Sequence, residues 1–260
     1  MTKEKISIVK IGGNIIEDEN ALKQFLQLFS KLAGKKILIH GGGKRATQFA
    51  SKLGITSKMI DGRRITDKET LEVITMVYAG LVNKKIVAQL QAFETNAMGL
   101  TGADINSIQS EKRPVKEIDF GFVGDVKQVN HHGIDTLMTA GFTPVFCALT
   151  HDGNGQLLNT NADTIASQIA IGMSEIYTTT LYYCFELKGV LNDFEDKESV
   201  IQKIDSKNYK ELLAAGTISA GMLPKLENCF DALQKGVAEV RIGNTSLFSE
   251  KNNLYTTIAL

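Results

Sequence analysis

Twice within the first 45 residues an apolar run ends in a cluster of glycines: KISIVKIGGN at 5–14 and KILIHGGGKR at 36–45. A segment of helical periodicity follows each cluster. Strand, glycine corner and helix, repeated in quick succession, describe an α/β chain with parallel strands, since parallel neighbours need a crossover and a helix usually supplies it. Glycine at such a corner lets the main chain approach a ligand closely, and N–H groups clustered beside a helix start favour an anion. In parallel sheets ligands bind at the carboxyl ends of the strands, which is where both corners lie.

The alternation continues along the chain. Ile6–Ile11 reads as a buried strand. Asn20 is the expected cap of an amphipathic helix over 21–33, with Leu22, Phe25, Leu26, Phe29 and Leu32 on one face. Ile37–His40 forms a second strand, and Ala46, Phe49, Ala50 and Leu53 mark a second helix. Thr66-Asp67-Lys68-Glu69 has the form of a capping box and opens a long helix to about Glu94. Over 97–135, short apolar pieces broken by Gly, Asp and Pro suggest small strands and hairpins on a sheet edge. Thr143–Leu149 is a buried strand, a helix starts near Asn161, and Ile176–Tyr183 is a strand rich in β-branched and aromatic residues. Helices near 206–214 and 224–236 precede a strand at Glu239–Ile242. The expectation is one mainly parallel sheet covered by helices on both faces, with no linker or repeat dividing it. Any two lobes would share the sheet.

Lys+Arg and Asp+Glu balance at 29 each in 260 residues, which removes the broad electrostatic case for nucleic acid. The first apolar run is too short for a signal peptide and no stretch is long enough to span a membrane. Cys147, Cys184 and Cys229 are far apart and show no metal-type spacing, as expected of reduced, buried thiols in the cytoplasm. His40, His131, His132 and His151 form no ligand or triad spacing and read as structural or exposed, and no metal-ligand set is expected.

Two nucleotide schemes can be weighed at the second corner. A Walker A loop fails, because the position five before Gly43 is Leu38. Gly41-x-Gly43-x-x-Ala46 does fit the looser dinucleotide fingerprint, with Asp61 at a suitable distance for a ribose contact. Against it, Lys44-Arg45 follow the glycines, Asp61 sits in a polar DGRR turn, and Lys10 would have no task. Lys10 itself either snorkels out of a strand end or points a compact positive charge into a cleft of glycine N–H groups, as phosphoryl transfer requires. Arg63-Arg64 is either a solvated pair or a bidentate grip on a carboxylate. In LLNTNAD, 157–163, Asn161 suits a helix N-cap and Asp163 a first-turn acid, while Asn159 has no local job. GMLPK, 221–225, puts a lysine into a helix first turn, where it opposes the dipole and hints at an anionic ligand.

KIGGN, HGGGK, DGRRIT, GFVGDV, LLNTNAD and ISAGMLPK, in that order and spacing, resemble the acetylglutamate kinases of the amino-acid kinase family, from Lys10 to Lys225. The resemblance implies a three-layer αβα sandwich in a single domain. Its lobes would be 1–172 for the acyl-amino acid and 173–260 for the nucleotide. It implies that Lys10 and Lys225 stabilise the transferring phosphoryl group while Asp163 orients both. Backbone N–H groups of Gly13 and Gly43 would hold the γ-phosphoryl, with Gly12 and Gly42 shaping the turns. Arg64 would clamp the α-carboxylate, and Asn159, with the 42–43 turn, the acylamino part. Glu186, Gly189, Thr217, Ile218 and Ser219 would contact ATP, with Mg2+ carried in by the nucleotide phosphates.

The implied reaction is ATP-dependent phosphorylation of the γ-carboxylate of N-acetyl-L-glutamate, the second step of arginine biosynthesis. N-succinylglutamate is an alternative substrate, and glutamate 5-kinase and aspartokinase are relatives on the same fold. From other classes, a dinucleotide-binding oxidoreductase and a non-catalytic amino-acid sensor stay open. The chain departs from the family where relatives often carry Asp and it reads CFELKGV. It also starts almost directly at the first strand, without the N-terminal helix of arginine-inhibited hexamers. That implies a homodimer without such feedback, with Leu71, Ile74, Val77, Tyr78 and Leu81 of the long helix as candidate interface.

Overall fold

The computed structural model describes residues 3–60, 62–218, 222–248 and 254–260. Asp61 and Ser219, both singled out in the sequence, lie outside the described residues.

The first strand, β1 (Lys5–Ile11), buries Ile6, Ile8, Val9 and Ile11, the continuous apolar pattern of a strand covered on both faces. It runs between β2 (Lys35–His40) and β11 (Thr178–Cys184), parallel to both. Beyond β2 lie β8 (Thr143–Cys147) and β5 (Ala97–Leu100). Beyond β11 lie β13 (Glu239–Gly243), the antiparallel β14 (Thr256–Ile258) and β12 (Lys203–Ile204). The order β12-β14-β13-β11-β1-β2-β8-β5 makes one mainly parallel sheet of eight strands. Strands from residue 178 onward occupy one half and strands up to residue 147 the other. The chain leaves β1 toward β2 on one side and returns to pair on the other, so a crevice opens at the carboxyl ends of β1, β2 and β11.

Helices α1 (Gly13–Glu17), α2 (Glu19–Lys31), α3 (Gly43–Lys52), α6 (His131–Thr139), α7 (Ala162–Ser174), α8 (Ser206–Ala214) and α9 (Leu223–Gln234) follow or precede these strands. The cap of α2 is Asp18, whose carboxylate accepts from the N–H groups of Asn20 and Ala21 at 2.9 Å, and not Asn20. The long helix is likewise capped by Asp67, which accepts from Thr70 N–H at 2.8 Å, one residue after the expected Thr66. That helix is not uniform. It runs as α4 (Lys68–Ile74), widens into a π-helical stretch over Thr75–Val82 and resumes as α5 (Asn83–Ala92). Leu71, Ile74, Val77 and Tyr78, expected at a subunit interface, are buried in the chain's own core; only Leu81 of that set is exposed.

The segment 97–135 differs most from expectation. Only β5 joins the main sheet's edge. The strands β6 (Ile108–Lys112) and β7 (Gly124–Val129) join β9 (Leu149–His151) and β10 (Leu157–Asn159) in a separate four-stranded sheet, order β10-β9-β6-β7, and 131–139 is helix. The apolar run at 143–149 is therefore two strands, breaking at Ala148 as the chain passes from one sheet to the other. A third ribbon pairs β3 (Met59–Ile60) with β4 (Arg63–Arg64). All three cysteines are buried free thiols; burial pushes Cys147 and Cys184 each up to about 12. Among the described residues no helix is long and apolar enough to cross a membrane.

Candidate active site

Lys10 is the penultimate residue of β1 and sits level with Ile39 on one side and Tyr183 on the other. Its ammonium Nζ lies 2.6 Å from Asp163 Oδ1. The second carboxylate oxygen, Oδ2, takes the Nζ of Lys225 at 2.8 Å. Two lysines separated by more than 200 positions thus meet through one carboxylate. Each of the three residues is placed by a local rule. Asn161 caps α7, accepting from the N–H of Asp163 at 2.7 Å and of Thr164 at 3.2 Å, so Asp163 falls in the first turn. Lys225 enters from the first turn of α9, where it opposes the dipole and gains the carboxylate in compensation.

The electrostatics follow from burial. Burial lowers the pKa of the Lys10 ammonium, against the opposing pull of Asp163. For Asp163, burial alone would raise it, but the charges of Lys10 and Lys225 and their hydrogen bonds prevail and hold it well below the usual carboxylate range. The group is an anion between two cations, leaving one net positive charge in a site mostly shielded from water.

Asp163 and Lys225 form one wall of a cavity of about 490 Å³. The turn Gly41–Gly43, Arg64, Tyr78 and Asn159 line the same cavity. Gly42 and Gly43 are the cap and first residue of α3, as Gly12 and Gly13 are of α1, so N–H groups at both corners belong to the set a helix leaves without an internal acceptor. Gly12 has spent its own N–H on Cys184 O at 2.8 Å. A Cβ on Gly42 would stand 2.8 Å from the ring of buried Tyr78, so any larger residue there has to displace the ring.

Of the two readings open for Arg63-Arg64, the solvated one fails for Arg64. It is only 8% exposed, whereas Arg63 stays in water. Its Nη1 donates to Ser57 Oγ at 2.7 Å and its Nη2 to Thr47 Oγ1 at 2.8 Å and to Gly43 O at 3.0 Å. No carboxylate pairs with it among the described residues, so a buried guanidinium faces the cavity with neutral partners only. Asn159 donates to Thr66 Oγ1 at 3.0 Å, and its backbone N–H bonds Phe122 O, tying it to the GFVGDV segment. Gly121 in that segment has φ +71° and passes so close to Thr66 O that a Cβ would sit 2.2 Å from it.

The described residues expected at the nucleotide, Glu186, Gly189, Thr217 and Ile218, lie beyond the lining of this cavity. Glu186 follows β11 and accepts from Asn14 Nδ2, whose Oδ1 in turn accepts from Lys44, linking three corner loops across the crevice. Gly189 is packed tightly, with Thr256 Oγ1 2.6 Å and Val200 Cγ1 2.6 Å from a hypothetical Cβ. Thr217 donates its N–H to Leu212 O, and Ile218 is buried. Sequence reasoning missed Ser57, Thr47 and Tyr78, which hold Arg64 and the glycine turn. Thr47, one helical turn after Gly43, was the one a helical wheel could have found. It also missed Asn14, the residue next to Gly13.

The description "Amino acid kinase family" matches residues 5–244. The chain belongs to the amino acid kinase family. It is 55% identical over 248 residues to the acetylglutamate kinase of Phocaeicola vulgatus, covering 95% of this chain and 96% of that one. To the acetylglutamate kinase of Cytophaga hutchinsonii it is 54% identical over 256 residues, 98% and 97% of the two chains. Among solved structures, smu.665 of Streptococcus mutans UA159 superposes with a TM-score of 0.78 at 25% identity, covering 98% of each chain. Family membership makes the chain an ATP-using kinase. The dinucleotide scheme at Gly41-x-Gly43 finds no support beside it.

Proposed function

We propose that this chain transfers the γ-phosphoryl group of ATP to the γ-carboxylate of N-acetyl-L-glutamate, making an acyl phosphate for arginine biosynthesis. The observation that carries the reading is that one cavity is lined both by Asp163 and Lys225, with Lys10 on the other oxygen of the same carboxylate, and by Arg64, which has no carboxylate partner among the described residues. A substrate with two carboxylates fits a cavity that offers both a guanidinium and an ammonium group. Its α-carboxylate meets the guanidinium, its γ-carboxylate reaches toward the lysines, and the acylamino group lies against Asn159 and the Gly42–Gly43 turn.

In this reading an oxygen of the γ-carboxylate attacks the γ-phosphorus of ATP in line. The new P–O bond forms as the bond from that phosphorus to the β,γ-bridging oxygen breaks, and ADP leaves with the electron pair. No proton moves, because the attacking carboxylate is already ionised at neutral pH. Lys10 and Lys225 offset the charge that builds on the equatorial and bridging oxygens, and N–H groups of Gly13 and Gly43 share it. Asp163, ionised throughout, keeps the two ammonium groups from repelling one another apart. Gly12 and Gly42 shape the turns, and Glu186, Gly189, Thr217 and Ile218 belong to the nucleotide's side of the crevice, on the half of the sheet formed by residues 173–260.

Mg2+ enters with ATP. Its ligands in this reading are phosphate oxygens of the nucleotide. The same reading makes the protein cytoplasmic and homodimeric. Met76 and Leu81, 57% and 45% exposed on the π-helical stretch, are apolar residues left for a second copy, and sedimentation velocity tests that.

Incubation with ATP, Mg2+ and N-acetylglutamate, with hydroxylamine to trap the acyl phosphate, tests the reaction. Hydroxamate at a rate far above the enzyme-free blank is expected; none, with ATP intact, would overturn the reading.

A further inference from the structure

Tyr183 is 1% exposed and belongs to no part of the reaction as described above. It is the next-to-last residue of β11, level with Lys10 across the parallel pairing. Lys225 Nζ stands 4.9 Å above the centroid of its ring. The phenol O–H donates to the backbone carbonyl of Asp163 at 3.0 Å. One side chain therefore touches both members of the Lys225–Asp163 ion pair, from a strand that neither of them belongs to.

Two physical terms follow. The face of an aromatic ring is electronegative, so a cation over it is attracted, more strongly where water is excluded. The hydroxyl meanwhile pins the first turn of α7, and with it the carboxylate, to β11. The ring is fixed because it lies in the packed core, 1% exposed, with its O–H donated to Asp163 O. Lys225 has a long, flexible stem and three donors, only one of which Asp163 Oδ2 engages in the contacts seen here.

We infer that Tyr183 is a positioning residue for phosphoryl transfer: its ring face holds the Lys225 ammonium, and its hydroxyl holds Asp163, in the geometry the migrating phosphoryl group meets. The inference rests on the kinase reading above, and it concerns kcat. A residue that places a group against the transition state, without touching either substrate, changes turnover and leaves both KM values where they were.

A fluorination series tests this. Phenylalanine, 4-fluorophenylalanine and 3,4,5-trifluorophenylalanine are placed at 183 in the full chain. The three have nearly the same shape and lack the hydroxyl, but the ring face becomes steadily less electronegative. Turnover is expected to fall about fivefold from the first to the last, with KM for ATP and for N-acetylglutamate within twofold and urea midpoints equal. A merely structural tyrosine would give a flat series, and a flat kcat overturns the proposal. Wild-type hydroxamate formation, run in parallel, speaks separately to the kinase reading. A crystal structure of Tyr183→Leu adds a measure independent of turnover. Lys225 Nζ more than 4 Å from Asp163 is expected; the wild-type separation retained would overturn the proposal whatever the assay shows.

Discussion

Arg64 donates to the carbonyl oxygen of Gly43 across 3.0 Å, so the guanidinium and the glycine turn form one rigid wall of the cavity. The same side chain is held by Ser57 and Thr47, which fixes its plane before any ligand arrives. Preorganised, buried and without a carboxylate partner among the described residues, it is suited to bind one. Arg64→Lys keeps the charge and loses the fork. We expect KM for N-acetylglutamate to rise about 30-fold, about 2 kcal/mol, with KM for ATP unchanged in steady-state assays. An equal rise for both substrates would point to a collapsed cavity instead.

The lysines act on the transition state and should show it in kcat. Lys10→Ala and Lys225→Ala are each expected to cut turnover at least about 100-fold, about 2.7 kcal/mol, with the protein folded by circular dichroism. Asp163→Asn leaves Lys10 and Lys225 facing each other without the intervening anion, and a comparable loss is expected. Because the two cations hold Asp163 ionised well below the usual range, no acid limb from this group should enter the rate profile between pH 5 and 8. Near-normal turnover in either lysine variant would remove its assigned role.

The glycine turn makes a steric prediction. A methyl group on Gly42 would meet Tyr78 Cδ1 at 2.8 Å and Cε1 at 3.0 Å, and the tyrosine is packed in the core on the π-helical stretch. Gly42→Ala should therefore cost about 1–3 kcal/mol in urea unfolding and raise KM for N-acetylglutamate. Pairing it with Tyr78→Leu, which clears the space, should recover part of the stability. Non-recovery would mean that backbone conformation at Gly42, and not the ring, sets the requirement.

How far the sequence carried this picture depended on the range of the interactions involved. Strands β1, β2 and β11 were legible because fully buried parallel strands write themselves as unbroken apolar runs. Lys10 and the glycine corners stood out because they interrupt such runs at the ligand-binding edge. The N-cap role of Asn161 is local and was readable, whereas Asp18 and Asp67 displaced Asn20 and Thr66 by a residue or two, the usual uncertainty of helix ends. What failed was non-local. The sheet of β6, β7, β9 and β10 is joined through Gln109 and His151, about 40 residues apart in the chain, and nothing in FGFVGDV states which sheet it will join. The stripe Leu71, Ile74, Val77, Tyr78 looked the same whether it faced a partner or the chain's own core; its burial settles on the core. At Arg64 the polar turn left a solvated pair and a carboxylate grip both open, because its partners Thr47 and Ser57 lie on other segments.

His40 makes a prediction about pH. It ends β2 beside the glycine turn, fully buried, with Nδ1–H donating to Gly41 O at 2.7 Å and Nε2 accepting from Asn83 Nδ2 at 3.0 Å. Both ring nitrogens are occupied in the neutral form, and burial pushes its pKa down to about 4 from the ordinary 6.5. Between those values the unfolded chain binds a proton that the folded chain refuses. Stability from this group is therefore complete above pH 6.5 and falls as the pH drops toward 4, below which no more is lost. Between pH 7 and pH 5 the loss amounts to about 2 kcal/mol. Urea unfolding of the wild type at both pH values should show that drop, and His40→Gln, which cannot take up the proton, should show a drop smaller by that amount. Equal drops in the two proteins would mean that His40 is protonated as readily in the folded state as in the unfolded one, and that the neutral tautomer does not hold the glycine turn to Asn83.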